Sequence, residues 1–191
     1  MSVKIVCIGD SLTAGFGVEA KARWTDLLSN DLQIEIINSG ISGDTTSGML
    51  ARFYEMVIKH NPSHVIILGG TNDLWLNLQN NIIIGNILAM TRYAKHHEIV
   101  PIIGIPTPFY NLGEYTDDSP FIETPELSER IKSYQKIVKQ FALDDTLSFI
   151  DFSLNMEPKL FLEDGLHPNK EGHKKMSDIA KLSLEHLIIK Q

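Results

Sequence analysis

Residues 5–15 read IVCIGDSLTAG, and this stretch indicates both the fold class and the position of a candidate site. A run of apolar and β-branched residues ends at Gly9, and Asp10 and Ser11 follow at once. An apolar strand that ends in glycine and a small hydroxyl residue is typical of the carboxyl edge of an open α/β sheet, where ligands bind. We therefore interpret Ser11 as a side chain that a buried strand presents at that edge.

Similar apolar runs recur along the chain and alternate with segments of helical periodicity. The predicted strands are residues 3–8, 34–38, 64–68, 99–105 and 147–152. The predicted helices are residues 20–32, 47–60, about 79–97, 125–143 and 169–190. Strands that alternate with helices predict βαβ units, and so a parallel sheet covered on both faces. The expectation is an α/β protein, a three-layer α/β/α sandwich on five strands, with residues 1–191 as a single domain.

Composition narrows the classes of function. The formal net charge of −7 argues against nucleic acid or an anionic membrane as the main partner, because no basic excess neutralises phosphates. No apolar stretch approaches the roughly 18 residues of a membrane span. The short apolar run before Gly9 does not resemble a signal peptide, so we expect a cytoplasmic protein. Cys7 is the only cysteine, and the histidines follow no metal-ligand spacing, so we expect neither a disulfide nor a metal site.

Residues 106–124 break the alternation of strands and helices. They carry three prolines and several aromatic residues, and they follow the fourth predicted strand. A loop of this length in a compact domain is usually functional or mobile. We expect it at the same sheet edge as Ser11, and the sequence leaves open whether it acts as a lid.

Four short motifs lie at or near the ends of predicted strands. They are GDSL at 9–12, NSGISGD at 38–44, GGTND at 69–73 and DGLHPN at 164–169. Acyl transfer needs a nucleophile, a base, a group that orients the base and hydrogen-bond donors for the oxyanion. The motifs can supply each of these parts. The Ser11 hydroxyl is a candidate nucleophile, the His167 imidazole a candidate base and the Asp164 carboxylate a group that could orient it. The Gly43 backbone N–H and the Asn72 side-chain amide are candidate donors for the oxyanion.

Each of these residues also has a purely structural explanation. Ser11 could cap the helix that starts near residue 20, and Gly43 could be only a turn residue. Asn72 or Asp73 could cap the segment that follows, and Asp164 and His167 could form a solvated turn before the last helix. The four motifs together, each able to supply a different part of one reaction, favour the catalytic interpretation.

The same four motifs, in the same order, resemble the SGNH hydrolases, also called GDSL lipases/esterases, and the resemblance covers residues 3 to about 185. It implies a flavodoxin-like sheet with strand order 2-1-3-4-5. It implies Ser11 as nucleophile, His167 as base and Asp164 as the residue that orients the base. The implied oxyanion donors are the Ser11 and Gly43 N–H groups and the Asn72 side chain. No cofactor is implied.

Within that family, residues 38–45 most resemble the arylesterase, acyl-thioesterase and lysophospholipase L1 branch. The expected function is hydrolysis of ester or thioester bonds in small acyl, aryl or lysophospholipid-type substrates. A carbohydrate O-acetylesterase is the alternative within the family, and a non-catalytic binding module on the same fold is a further one. The side chains that we predict to bind substrate are Asp10, Trp75, Phe109 and Tyr110, although the aromatic ones could equally pack a lid against the core. The sequence does not predict an oligomeric state.

Overall fold

The computed structural model describes residues 3–111 and 124–188. Its five parallel strands form one sheet in the order β2-β1-β3-β4-β5, which confirms the predicted fold class and strand order. The strands are β1 (Lys4–Gly9), β2 (Glu35–Gly40), β3 (His64–Leu68), β4 (Val100–Ile105) and β5 (Ser148–Asp151). Each lies within two residues of its predicted bounds at both ends.

Helices connect successive strands and cover both faces of the sheet. They are α1 (Ser11–Ala14), α2 (Trp24–Leu32), α3 (Thr46–Ala51), α4 (Phe53–Met56), α5 (Thr71–Trp75), α6 (Asn80–His96), α7 (Thr124–Asp144) and α8 (Lys170–Ile188). Short 3₁₀ turns occur at Ala20–Ala22, Ile58–His60 and Pro158–Leu160. No helix among the residues described is long and apolar enough to cross a membrane.

Two hydrophobic clusters flank the sheet, because alternate side chains of a strand point to opposite faces. Val6 and Ile8 of β1 pack into a cluster with residues of α3, α4, α6 and α7. Ile5 and Cys7 pack into a second cluster with residues of α2 and α8. The interior strands are therefore apolar at almost every position, as burial on both faces requires.

The register of the sheet brings the ends of three strands together. Gly9 at the end of β1 lies beside Gly40 of β2 and Leu68 of β3. The segments that follow these strands, which carry the GDSL, NSGISGD and GGTND motifs, therefore leave the sheet at neighbouring points of one edge.

The helix predicted at 47–60 is wrong as a continuous element. It is broken into α3, α4 and the turn at Ile58–His60, with Arg52 between the two helices at φ −101° and ψ 6°. Tertiary contacts of the Arg52 side chain, described below, hold this break. Likewise, the predicted helix at 20–32 is a 3₁₀ turn and α2, separated by an extended Arg23. Most of the predicted loop at 106–124 lies outside the described residues.

Candidate active site

Ser11 is the first residue of a four-residue helix that starts directly after β1. Asp10 is the N-cap of this helix, and its carboxylate accepts a hydrogen bond from the Leu12 N–H at 2.9 Å. Asp10 is completely buried, and its contact with substrate stays a prediction. Its carboxyl group fixes the turn that presents Ser11, because an acidic side chain satisfies the free N–H groups of a helix start.

Ser11, His167 and Asp164 form a continuous hydrogen-bonded chain. The Ser11 Oγ lies 2.9 Å from His167 Nε2, and His167 Nδ1 lies 2.6 Å from Asp164 Oδ2. The sequence separates Ser11 from His167 by 156 positions, and the fold brings them into contact. Ser11 is buried, with 8% of its surface exposed.

Asp164 is held by the loop that it shares with His167. Its Oδ1 accepts hydrogen bonds from the N–H groups of Leu166 and His167, both at 2.9 Å. Partial burial tends to raise the pKa of this carboxyl group, but the hydrogen bonds from His167 and Leu166 outweigh it and the pKa is lowered. An ionised carboxylate accepts only, so Nδ1 carries the proton of a neutral imidazole and Nε2 is free to accept one.

Two backbone N–H groups near Ser11 have no hydrogen-bond acceptor among the described residues. One is the N–H of Ser11 itself, at the start of α1. The other belongs to Gly43, which is exposed, has φ +80°, and would direct a Cβ into open space. Free N–H groups beside a nucleophile are the donors that an oxyanion needs.

The Asn72 side chain offers a third donor. Its Nδ2 donates to the Asp44 carbonyl oxygen at 2.9 Å, which fixes the orientation of the amide. A side-chain amide has two N–H bonds, so one remains for another acceptor. Asn72 follows β3 and Asp44 follows β2, and this contact joins two of the loops at the sheet edge.

Arg52 and Asp73 hold the segment 41–46 in place, and the sequence analysis assigned neither of them a part in the reaction. The Arg52 guanidinium contacts the Asp44 carboxylate at 2.7 Å, and it donates to the Ser39 and Gly9 carbonyl oxygens at 2.8 and 2.9 Å. No local sequence signal identifies Arg52, because all its acceptors are distant in the chain.

Asp73 is completely buried and accepts hydrogen bonds from the N–H and the hydroxyl group of Thr46, the shortest at 2.6 Å. Burial raises the pKa of Asp73, and the nearby charge of Asp44 adds to this, although the bonds from Thr46 oppose it. The carboxyl group of Asp73 thus anchors the start of α3 directly after the Gly43 loop.

The aromatic residues predicted to bind substrate are placed differently from one another. Phe109 is 2% exposed and packs in the core, and its contact with substrate stays a prediction. The Tyr110 hydroxyl donates to the Met156 carbonyl oxygen at 2.5 Å, and its ring packs edge-on against Phe161. Trp75 is half-buried and packs partly against the core. Sequence position identified the correct sheet edge here but not which side of each ring is covered.

Among residues 3–111 and 124–188, no three His, Cys, Asp or Glu side chains form a group that could hold a metal ion. Cys7 is buried, and burial raises the pKa of its thiol far above the ordinary value.

Comparisons with known proteins show which family the chain resembles. The sequence model of the GDSL-like Lipase/Acylhydrolase family matches residues 7–175. The chain is 28% identical to an arylesterase of Vibrio mimicus, over 97% of this chain and 90% of the relative. It is also 28% identical to thioesterase 1/protease 1/lysophospholipase L1 of Escherichia coli strain K12, over 96% and 84%. Among solved structures, a GDSL-like lipase of Bacteroides thetaiotaomicron superposes with a TM-score of 0.80 at 25% identity, covering 97% of this chain and 89% of that one.

Proposed function

Because the chain belongs to the GDSL-like lipase/acylhydrolase family, we propose that Ser11, His167 and Asp164 are the catalytic residues of a serine ester hydrolase. One observation carries this proposal: Ser11 Oγ lies 2.9 Å from Nε2 of an imidazole whose other nitrogen contacts a carboxylate at 2.6 Å. The names of the relatives support carboxylic esters and thioesters as substrates.

In the acylation step, Ser11 Oγ attacks the carbonyl carbon of the substrate while His167 Nε2 takes the hydroxyl proton. The carbonyl oxygen becomes an oxyanion, to which Ser11 N–H, Gly43 N–H and the Asn72 amide donate hydrogen bonds. The bond to the alcohol or thiol then breaks, and the departing oxygen or sulfur takes the proton from Nε2. The product is an acyl ester of Ser11.

In the deacylation step, water attacks the acyl carbon and Nε2 takes one of its protons. The bond between the acyl carbon and Ser11 Oγ breaks, and Oγ recovers a proton from Nε2. A carboxylic acid leaves and the enzyme returns to its starting state. Water is the one co-reactant that these two steps consume.

Hydrolysis of an ester series tests the proposal. p-Nitrophenyl esters from acetyl to palmitoyl, and matched thioesters, are compared with the wild-type protein and Ser11→Ala. We expect turnover by the wild type and a loss of at least about 10³-fold in kcat for Ser11→Ala. Ser42→Ala, which removes an exposed serine from the neighbouring loop, serves as the matched control and should retain wild-type activity. Turnover that survives in Ser11→Ala would refute the proposed nucleophile.

A carbohydrate O-acetylesterase would use the same catalytic groups and differ in the surroundings of the acyl group. Acetylated oligosaccharides in the same assay separate the two possibilities. A carbohydrate O-acetylesterase would have a higher kcat/KM for these oligosaccharides than for aryl esters and thioesters. A binding module on this fold would turn over none of these substrates.

The cytoplasmic location is also a proposal. Cys7 is the only cysteine and is buried, so the chain cannot form an intrachain disulfide. This is compatible with a reducing compartment. Cell fractionation tests this, and recovery of the protein outside the cytoplasmic fraction would refute it.

A further inference from the structure

Phe16 lies against the imidazole of His167, a contact that the sequence analysis did not anticipate. The two ring centroids are 4.4 Å apart and the ring planes are tilted by 40°. Phe16 is nevertheless 49% exposed, which makes it an apolar surface directly beside the candidate base. An exposed large aromatic ring that contacts a reactive group is more informative than a scattered surface residue.

The backbone around Phe16 is fixed, so the position of the ring is not accidental. The N–H groups of Gly15 and Phe16 both donate to the Ser11 carbonyl oxygen, at 3.0 and 3.1 Å. Phe16 is thus tied to the same residue that supplies the proposed nucleophile.

The two glycines beside Phe16 are required where they stand. Gly15 and Gly17 both have φ +79°, which disfavours any other residue. A Cβ on Gly15 would lie 2.4 Å from Arg23 Cγ, and one on Gly17 would lie 2.5 Å from Leu162 Cδ1. The turn is therefore packed between two side chains, which limits the movement of Phe16.

The chemistry of the proposed reaction assigns this surface to one half of the substrate. The departing alcohol or thiol must take its proton from His167 Nε2, so it leaves next to the imidazole ring. A side chain packed on that ring borders the leaving group, whereas the oxyanion donors border the carbonyl oxygen. The exposed part of Phe16 offers neither charge nor a hydrogen bond to what departs.

We propose that Phe16 forms the leaving-group side of the substrate site and selects esters and thioesters whose alcohol or thiol part is aromatic. This inference rests on the proposed function. It adds that the enzyme selects the leaving-group half of its substrate and that Phe16 is the residue that selects it. Aromatic leaving groups gain from stacking on the ring, and small aliphatic ones do not.

Two substrates that differ only in the leaving group test the inference. kcat/KM is measured for phenyl acetate and ethyl acetate with wild type, Phe16→Ala and Phe16→Tyr. We expect Phe16→Ala to lower kcat/KM for phenyl acetate about tenfold and for ethyl acetate less than about threefold. Phe16→Tyr keeps the ring and should retain the wild-type ratio between the two esters. Tyr54→Ala, which truncates an exposed aromatic residue on α4, is the matched control and should change neither value.

The outcomes separate this inference from the proposed function. Equal losses on both esters in Phe16→Ala would show that Phe16 only positions the imidazole, and they would overturn the inference. An unchanged ratio with no loss would overturn it as well. Both results leave the ester hydrolase intact, whereas a wild-type protein that hydrolyses no ester or thioester of the acetyl-to-palmitoyl series overturns the function and the inference together.

Discussion

Ser11 owes its position to the residue before it and to the groups that it leaves unsatisfied. Asp10 caps the helix on the Leu12 N–H, so the Ser11 N–H stays free and the hydroxyl points to His167. Burial raises the pKa of Asp10 to about 7, with the charge of Asp73 adding to the effect and the hydrogen bond from Leu12 opposing it. The carboxyl group that looked like a ligand for substrate is therefore a buried part of the turn.

Asn72→Ala should show whether its amide stabilises the transition state. We expect kcat to fall by about 10²–10³-fold with little change in KM, since an oxyanion forms only after attack. Steady-state kinetics on p-nitrophenyl acetate measure this. Asn81→Ala, an exposed asparagine on α6, is the control. If Asn72→Ala keeps the wild-type kcat, Asn72 has no place in the mechanism.

At the scale of elements, the loop after β2 is held by side chains from two other segments, α5 and the junction of α3 and α4. Asn72 binds the Asp44 carbonyl oxygen, Arg52 binds the Asp44 carboxylate and two strand ends, and Asp73 binds Thr46. These contacts explain why the helix predicted at 47–60 breaks at Arg52. Periodicity reports which face of a segment is apolar, but it cannot report that a guanidinium in that segment reaches β1 and β2.

Arg52→Lys should weaken this support without removing the positive charge. A lysine ammonium cannot reproduce the planar fork that contacts Asp44, Ser39 and Gly9 together. We expect kcat to fall roughly 10- to 100-fold and KM to change less, because displacement of the Gly43 N–H weakens binding of the transition state most. Arg92→Lys alters a paired arginine on the exposed face of α6 and should leave kcat unchanged. A wild-type kcat in Arg52→Lys would contradict this role.

Helix α8 contributes a buried histidine with consequences for stability. His173 is completely buried, and its Nδ1 accepts a hydrogen bond from the Trp24 N–H at 3.3 Å. Burial lowers its pKa to about 4, and the nearby His167 and Arg23 add to this. An unfolded histidine has a pKa near 6.5, so between about pH 6.5 and 4 the unfolded chain binds a proton that the folded chain does not.

The free energy of unfolding should therefore decrease as the pH falls through that window and be fully retained above it. At pH 4.5 the contribution of His173 amounts to a loss of about 2–3 kcal/mol relative to pH 7.5. His173→Asn keeps an acceptor for the Trp24 N–H and does not titrate. Between pH 7.5 and pH 4.5 its free energy of unfolding should therefore fall by about 2–3 kcal/mol less than that of the wild type. Urea unfolding of the wild type and His173→Asn at both pH values measures this difference in the free energy of unfolding. The titration of groups that both proteins share, such as Asp10, cancels in the comparison. Identical pH dependence in the two proteins would disprove the assignment.

At the scale of the whole molecule, the architecture predicted from the sequence is confirmed, and the assignment of the site residues stays a prediction. Strand positions and the order 2-1-3-4-5 were correct because strands buried on both faces are continuously apolar and the motif order resembles a known family. The five residues predicted to carry the reaction lie in segments that meet at one sheet edge. The contacts of Phe16 with His167 and of Arg52 with Asp44 were not predicted, since they depend on how the chain folds back on itself.

The sheet should also be unequally protected against hydrogen exchange. β3 is buried at every position, whereas β2 lies at the edge of the sheet and begins with an exposed Glu35. We expect amides of β1 and β3 to exchange at least about tenfold more slowly than those of β2. Exchange monitored by NMR checks this, and equal protection across the three strands would argue against the described sheet order.

The central claim is that Ser11 is the nucleophile activated by His167, and covalent labelling tests it most directly. The protein is treated with a fluorophosphonate ester, and the modified residue is located by peptide mass spectrometry. We predict one adduct per chain, on Ser11, that is absent in Ser11→Ala, strongly reduced in His167→Ala and unchanged in Ser42→Ala. An adduct on another residue, or labelling of Ser11 that does not depend on His167, would contradict the account.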